Sequence, residues 1–147
     1  MSTQPPGWAI DAARLTQKRW NIPASVQLAQ FALESAWGKA TSGPHNYFGM
    51  KALTGQPQIT IPTHEVYKGV RVLVQQSFRA FASDVEAFDA HGKLLATAGA
   101  YANARAKLPD PFAFAAALTG IYATDPNYGA AVAAVIRGSN LTAFDHG

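Results

Sequence analysis

One stretch, Gln27 to Lys51, constrains this chain more than any other. It starts as an apolar helix and carries a single carboxylate, Glu34, near that helix's C-terminal end. It then breaks at Gly38 and crosses a Gly/Pro/Asn loop into Asn46-Tyr47-Phe48-Gly49-Met50-Lys51. Only 14% of residues are charged, so a lone Glu between Leu33 and Trp37 calls for a reason. Desolvation on an apolar helix penalises the charged form and raises a carboxyl pKa. A general acid needs that protonated state at neutral pH. The plainer alternative is a Glu at the water-facing edge of a packed helix.

With 147 residues the chain reads as one domain, 1–147, large enough for a core without staples. Hydrophobic residues at 48% exclude a disordered chain. The net charge of +3 comes from twelve basic residues spread between Arg14 and Arg137. That spread is too diffuse for a nucleic-acid footprint, though it suits an anionic polymer such as a bacterial wall. There is no cysteine, which removes disulfides, thiolate metal sites and cysteine nucleophiles. The N-terminus has neither a basic n-region nor an apolar h-region, so no signal peptide is expected. No run approaches the roughly 18 apolar residues of a membrane span, so no membrane insertion is expected. Export would then take a non-standard route, by phage lysis or a secretion system, unless the chain has been trimmed.

Residues 1–7 read as a loose, Pro-rich lead, and a first helix is predicted from Trp8 to Trp20. Pro23 opens a second helix running to about Trp37, because proline is favoured at the first helical position. Val26, Ala29, Leu33 and Trp37 fall at helical spacing as its buried stripe. Gln27, Gln30 and Glu34 share a neighbouring face, which puts Glu34 at the rim of a cleft. Gly43, Pro44, Gly55 and Pro57 make 38–58 mostly loop. From Ile59 to Tyr67 and from Val70 to Gln75 the pattern is a short hairpin about Lys68-Gly69, with Pro62 making the first strand an edge or irregular one. Ser83-Asp84-Val85-Glu86 is a capping-box signature for a helix to about Ala98. Tyr101–Ala106 reads as a short helix. Asp110-Pro111 and Asp125-Pro126 pair an N-cap with proline and mark starts of helices near 111–120 and 126–137. The fold class is mainly α, with one small β-hairpin lobe.

Nine residues are acidic, and caps, first turns and termini account for most. Glu34 and Glu65 have no obvious local duty. One is on a helix and the other near the turn end of the hairpin, so a groove between those elements brings them face to face. Two carboxyls in different environments are the equipment of a glycoside hydrolase. His45, His64, His91 and His146 are scattered, and His64-Glu65 lacks the second histidine of a zinc helix. No metal and no cofactor are therefore expected. Ser35 lies outside a G-x-S-x-G elbow. Trp37, Tyr47, Phe48, Tyr122 and Tyr128 are core aromatics by default. Their position in loops and helix starts makes some of them candidates for a sugar-stacking surface.

The residues Ala32-Leu33-Glu34-Ser35-Ala36-Trp37-Gly38 and Asn46-Tyr47-Phe48-Gly49-Met50-Lys51 resemble bacterial N-acetylglucosaminidases of family 73 of the glycoside hydrolases. That family includes wall-cutting domains of flagellar hydrolases and autolysins. Thr63-His64-Glu65-Val66-Tyr67-Lys68-Gly69 is similar to its T-x-E segment, and Phe78-Arg79-Ala80-Phe81 to its FRxY. Tyr122-Ala123-Thr124-Asp125-Pro126-Asn127-Tyr128 is similar to its YATDPxY. Five blocks in order span about Val26 to Arg137.

The resemblance implies a lysozyme-like α-rich fold and hydrolysis of the β-1,4 bond after N-acetylglucosamine in peptidoglycan glycan strands. It implies Glu34 as general acid, Glu65 as second carboxylate on a mobile β lobe, and Tyr122 as an assisting group. Asn46, Phe48, Gly49, Thr124, Asp125 and Tyr128 match positions that shape or support the substrate groove. Asp125 has a plainer reading as a helix cap, and Gly49 as a turn residue. Phe81 departs from the tyrosine of FRxY, and Ala87 and Ala90 from the serine and aspartate of an S-x-x-DH segment that keeps His91. A muramidase or lytic transglycosylase of the same fold is the alternative within enzymes. A non-catalytic wall-binding module is the alternative outside them. The place of action would be the periplasm or cell wall. If the chain is an antibacterial effector, a cognate inhibitor protein would plug the groove.

Overall fold

The computed structural model describes residues 4–145, so residues 1–3 of the expected lead and His146 lie outside the described residues. Helix α1 spans Gly7–Trp20 and stops where Asn21 turns left-handed (φ 61°) and returns its N–H to Gln17 O. Helix α2 spans Ala24–Ser35, with Pro23 in extended conformation as the residue before it. Pro23 therefore caps the helix from outside and does not open its first turn. Pro23 has no side-chain acceptor to offer the free N–H groups, and distant groups serve the first turn. Gln17 Oε1 accepts from Ala24 N (2.9 Å), while Asp145 accepts from Ser25 N and Ser25 Oγ, both at 2.7 Å. A carboxylate at a helix N-terminus also meets the positive end of the helix dipole. Asp145→Ala is expected to destabilise the protein by about 1–2 kcal/mol, as loss of an N-cap does. Chemical denaturation of the two proteins at pH 7 checks it.

Ten of the twelve α2 residues are buried, including Gln27 and Gln30. The expected single stripe is corrected. Val26 and Ala29 are fully buried, but Leu33 is 40% exposed and Trp37 only half-buried. The reason is that α1, the helices over 84–97, 111–117 and 128–138, and the C-terminal turn over 141–144 all pack around α2. A helix buried on all sides has no amphipathic stripe to read. It also ends two residues early, with Ala36 (φ 50°) and Trp37 (φ 60°) both left-handed. Ser35 helps end it, since its Oγ donates to Phe31 O (2.7 Å) and accepts from Gly38 N (2.9 Å).

Helix α3 spans Asp84–Thr97 and opens as expected, with Ser83 Oγ accepting from Glu86 N. Glu86 reaches one residue further back, to Ala82 N (3.0 Å). A 3-10 turn at Gly99–Tyr101 leads into α4, Ala102–Arg105. Helix α5, Pro111–Ala117, has Asp110 as its N-cap, accepting from Phe112 N and Ala113 N. Helix α6 spans Tyr128–Gly138, so the expected start at Pro126 is corrected. Asp125 does not cap it from the side chain. Its Oδ1 accepts from Asn127 N (2.8 Å) in an Asx turn that holds 125–127 outside the helix. A last 3-10 turn, Leu141–Phe144, packs on α2.

Strands β1 (Gln58–Tyr67) and β2 (Val70–Arg79) form one antiparallel hairpin, paired from Gln58–Arg79 to Tyr67–Val70. Lys68 and Gly69 both take positive φ, the two-residue turn that matches strand twist. In a two-stranded sheet both strands are edges, so Pro62 is tolerated with no break in register. The second strand runs four residues beyond the expected Gln75, because the 46–57 loop pairs with its end. Ala52 N donates to Ser77 O, Arg79 N to Met50 O and Ala80 N to Pro57 O. The hairpin's distal half projects from the helical body, with Val66, Tyr67, Val70 and Leu73 each 59–70% exposed. Where the family motif has tyrosine, Phe81 is buried with the Arg79 guanidinium 4.6 Å over its ring. The missing hydroxyl is replaced by core packing.

Candidate active site

Glu34 stands on the last turn of α2, half-buried, where the helix breaks. Burial pushes its carboxyl above the ordinary 4.5, and a hydrogen bond from Tyr128 pulls partly against that shift. Tyr128 Oη donates to Glu34 Oε1 at 3.2 Å, and Gln30 Nε2 donates to Tyr128 Oη at 2.9 Å. Tyr128, the first residue of α6, is 6% exposed and stacks on Tyr122, ring centroids 5.6 Å apart and 12° from parallel. Burial raises both phenols above their ordinary value, and the neighbouring carboxylate adds to this. Tyr122 Oη donates to Phe48 O at 3.2 Å, so the phenol fastens the 46–50 loop to the helical wall.

That loop forms the facing side. Gly49 has φ 65°, which a side chain tolerates poorly, and a Cβ there would lie 3.9 Å from Glu34 Oε2. The positive φ is what the turn reading of Gly49 expects, and the residue also lies beside the Glu34 carboxyl. Phe48 is 2% exposed and lies flat on His91 (4.0 Å, 9°). Gln27 Nε2 donates to His91 Nδ1 (3.0 Å) and to Phe88 O (3.1 Å). His91 is fully buried, and burial lowers its pKa to about 3, so the ring is a neutral packing element. Asn46 is 1% exposed, its Nδ2 bonded to Met50 O and Arg79 O and its Oδ1 to Met50 N. Tyr47 is tied to Asp84, which also accepts from His45 Nδ1 at 2.7 Å.

The structure thus brings Gly49 and Tyr128 to the Glu34 carboxyl, with Tyr122 stacked on Tyr128 and Phe48 held by the Tyr122 phenol. Asn46 and Phe48 are buried, with the Asn46 amide bonded to backbone and the Phe48 ring packed on His91 inside the protein. Of the candidate stacking aromatics, Tyr47 takes its default place in the core, its ring 8% exposed among Trp8, Phe31 and Phe88. Thr124 and Asp125 are exposed on the turn before Tyr128. Glu65 sits on the half-buried face of the hairpin, opposite Val72, and among the described residues makes no hydrogen bond or ion pair with Glu34. Gln30 was not marked by sequence reasoning as part of the site. The available signal was its place one helical turn before Glu34, an amide in an otherwise apolar run.

The glucosaminidase family model, described as mannosyl-glycoprotein endo-beta-N-acetylglucosaminidase, matches residues 10–141. A probable N-acetylmuramidase of Lactococcus lactis is 38% identical over 130 residues, covering 82% of this chain and 30% of its own length. An exo-glucosaminidase of Bacillus subtilis is 27% identical over 140 residues, covering 90% of this chain and 50% of its own. The chain therefore spans half or less of these relatives. The crystal structure of the catalytic domain of the autolysin Auto from Listeria monocytogenes superposes with a TM-score of 0.81 at 25% identity, over 97% of this chain and 90% of that one. The match runs from α1 into the last turn and takes in the helix of Glu34, the hairpin and the tyrosine wall. The chain belongs to the glucosaminidase family, family 73 of the glycoside hydrolases.

Proposed function

We propose that this domain hydrolyses the β-1,4 bond following N-acetylglucosamine in peptidoglycan glycan strands, in the cell wall or periplasm, with Glu34 as general acid. The observation that carries the reading is the Glu34 carboxyl: desolvated, raised in pKa, met by one phenol and bordered by a glycine. A carboxyl whose pKa is raised holds its proton to higher pH than an exposed glutamate, and can deliver it to the glycosidic oxygen as an oxocarbenium-like transition state forms. Tyr122 and Tyr128 hold the carboxyl and the loop opposite it in register. Thr124 and Asp125, exposed beside them, are groove-lining positions.

Glu65 fills the second role from the hairpin, as the base that activates water or as a charge that stabilises the sugar cation. A substrate N-acetyl group acting as nucleophile, with Glu65 orienting it, fits the same placement. Among the described residues the backbone bonds from the hairpin to the rest of the chain lie at its base, around Ser77–Arg79, so closure on substrate would carry Glu65 inward. Glu65→Gln is expected to lower the rate less than Glu34→Gln, because water or the substrate's own acetamido group can replace a base but not the acid. Initial rates on purified peptidoglycan rank the two variants.

The relative named a probable N-acetylmuramidase supports a second reading, cleavage on the other side of the disaccharide. Reducing-end analysis by mass spectrometry separates them. Reducing N-acetylglucosamine ends are expected. Reducing or anhydro N-acetylmuramic ends would give the bond to a muramidase or transglycosylase, and firm wall binding with no cleavage would make the domain a binding module. An inhibitor protein that plugs the groove belongs to the effector reading alone.

A further inference from the structure

We infer that Gln30 is a positioning residue, which sets the direction of the hydrogen-bond chain through Tyr128 and so keeps the transferable proton of Glu34 on Oε2. The inference rests on Glu34 being the general acid. It starts from the chemistry of a phenol beside a carboxylic acid. The phenol can donate to the acid, or it can accept the acid's own proton. The second arrangement hides the catalytic proton inside the protein.

Gln30 removes that choice. Its side chain is fully buried on α2, one turn before Glu34, and its Nε2 donates to Tyr128 Oη at 2.9 Å. With its oxygen already accepting, Tyr128 has one proton to give, and Glu34 Oε1 lies 3.2 Å away to take it. Oε1 is then an acceptor whether Glu34 is charged or neutral. The acidic proton is left to Oε2, the oxygen that faces Gly49 across the loop, where the absence of a Cβ keeps the approach open. Tyr122, stacked on Tyr128 and tied to Phe48 O, prevents the phenol from swinging away. The titratable groups electrostatically linked to Glu34 are these two tyrosines, and among the described residues no cation or second carboxylate shifts it.

The test uses Gln30→Met, which keeps the volume and removes the donor, and Gln30→Glu, which keeps the shape and accepts the phenol proton instead. In Gln30→Met, kcat is expected to fall about tenfold with KM unchanged. The alkaline limb of the pH–rate profile is expected to move up, because the freed phenol accepts from protonated Glu34. Gln30→Glu is expected to move that limb further in the same direction. In a Tyr128→Phe background, Gln30→Met is expected to leave the limb where Tyr128→Phe alone put it. A loss of rate with an unmoved limb, or an equal shift with and without the Tyr128 hydroxyl, would overturn the inference and leave Gln30 a packing residue. Carbon-13 NMR titration of the Glu34 carboxyl reads the same shift without turnover. If Glu34→Gln still cleaves peptidoglycan, the general-acid reading has failed, and the NMR titration still decides whether Gln30 acts through Tyr128.

Discussion

Glu34→Gln is expected to slow glycan cleavage by about 10²–10⁴-fold, the usual contribution of a positioned acid, and to raise Tm at neutral pH. The two effects have one cause. Folding places Glu34 where its pKa exceeds the unfolded value, through desolvation that the Tyr128 hydrogen bond only partly offsets. Between the unfolded and folded pKa values the native state therefore binds more protons than the unfolded state. The stability this gives is fully present below the unfolded pKa and is lost as pH rises through the folded one. At pH 7 the wild type pays for a desolvated carboxylate, while glutamine has no charge to desolvate and still accepts from Tyr128. The Tm difference should be clear at pH 7 and vanish in acid below about pH 4. Scanning calorimetry across pH, beside reducing-end assays, checks both. An inactive variant with a lower Tm at pH 7 would point to a structural role for Glu34.

Gly129→Ala is expected to destabilise the domain by about 3 kcal/mol, the upper range for forcing an atom into a filled core. For a domain of this size that lowers Tm by roughly 10 °C. Gly129 is the second residue of α6, where that helix meets the end of α5. A Cβ there would lie 2.6 Å from Thr119 Oγ1 and 2.8 Å from both Ala115 O and Ala116 Cα. Two of those three atoms are backbone and cannot turn aside, so α6 must move. Tyr128 is the adjacent residue, and its shift should weaken the bond to Glu34 and lower activity in the protein that remains folded. Gly138→Ala is the control, since its Cβ would meet nothing within 4 Å. Equal Tm losses in the two variants would remove the steric argument.

Much of the domain can be read from one dimension because its signals are local. A Ser or Asp before a helix satisfies donors two and three residues away, which is why Ser83 and Asp110 stand where the sequence puts them. The Lys68-Gly69 turn likewise needs no information beyond its own φ preferences and the alternation of its strands. The family blocks mark Glu34, Tyr122 and Tyr128, and the structure brings those three together.

Tertiary packing decided what those side chains do. Asp125 has the composition of a cap and is used for a turn, because α6 starts where Tyr128 can reach Glu34. Asp145, near the end of the chain, serves the first turn of α2, 120 residues away. Gln27 and Gln30 pattern as the rim of an amphipathic helix, but α2 is surrounded, and its two amides become the polar wiring of the core. Periodicity reports one face against one core and is silent once a helix is enclosed on every side. From the sequence alone came the carboxylate, its helix and its family. Its proton state and the direction of its hydrogen bonds came only with folding, because both depend on desolvation and on partners that no local pattern encodes.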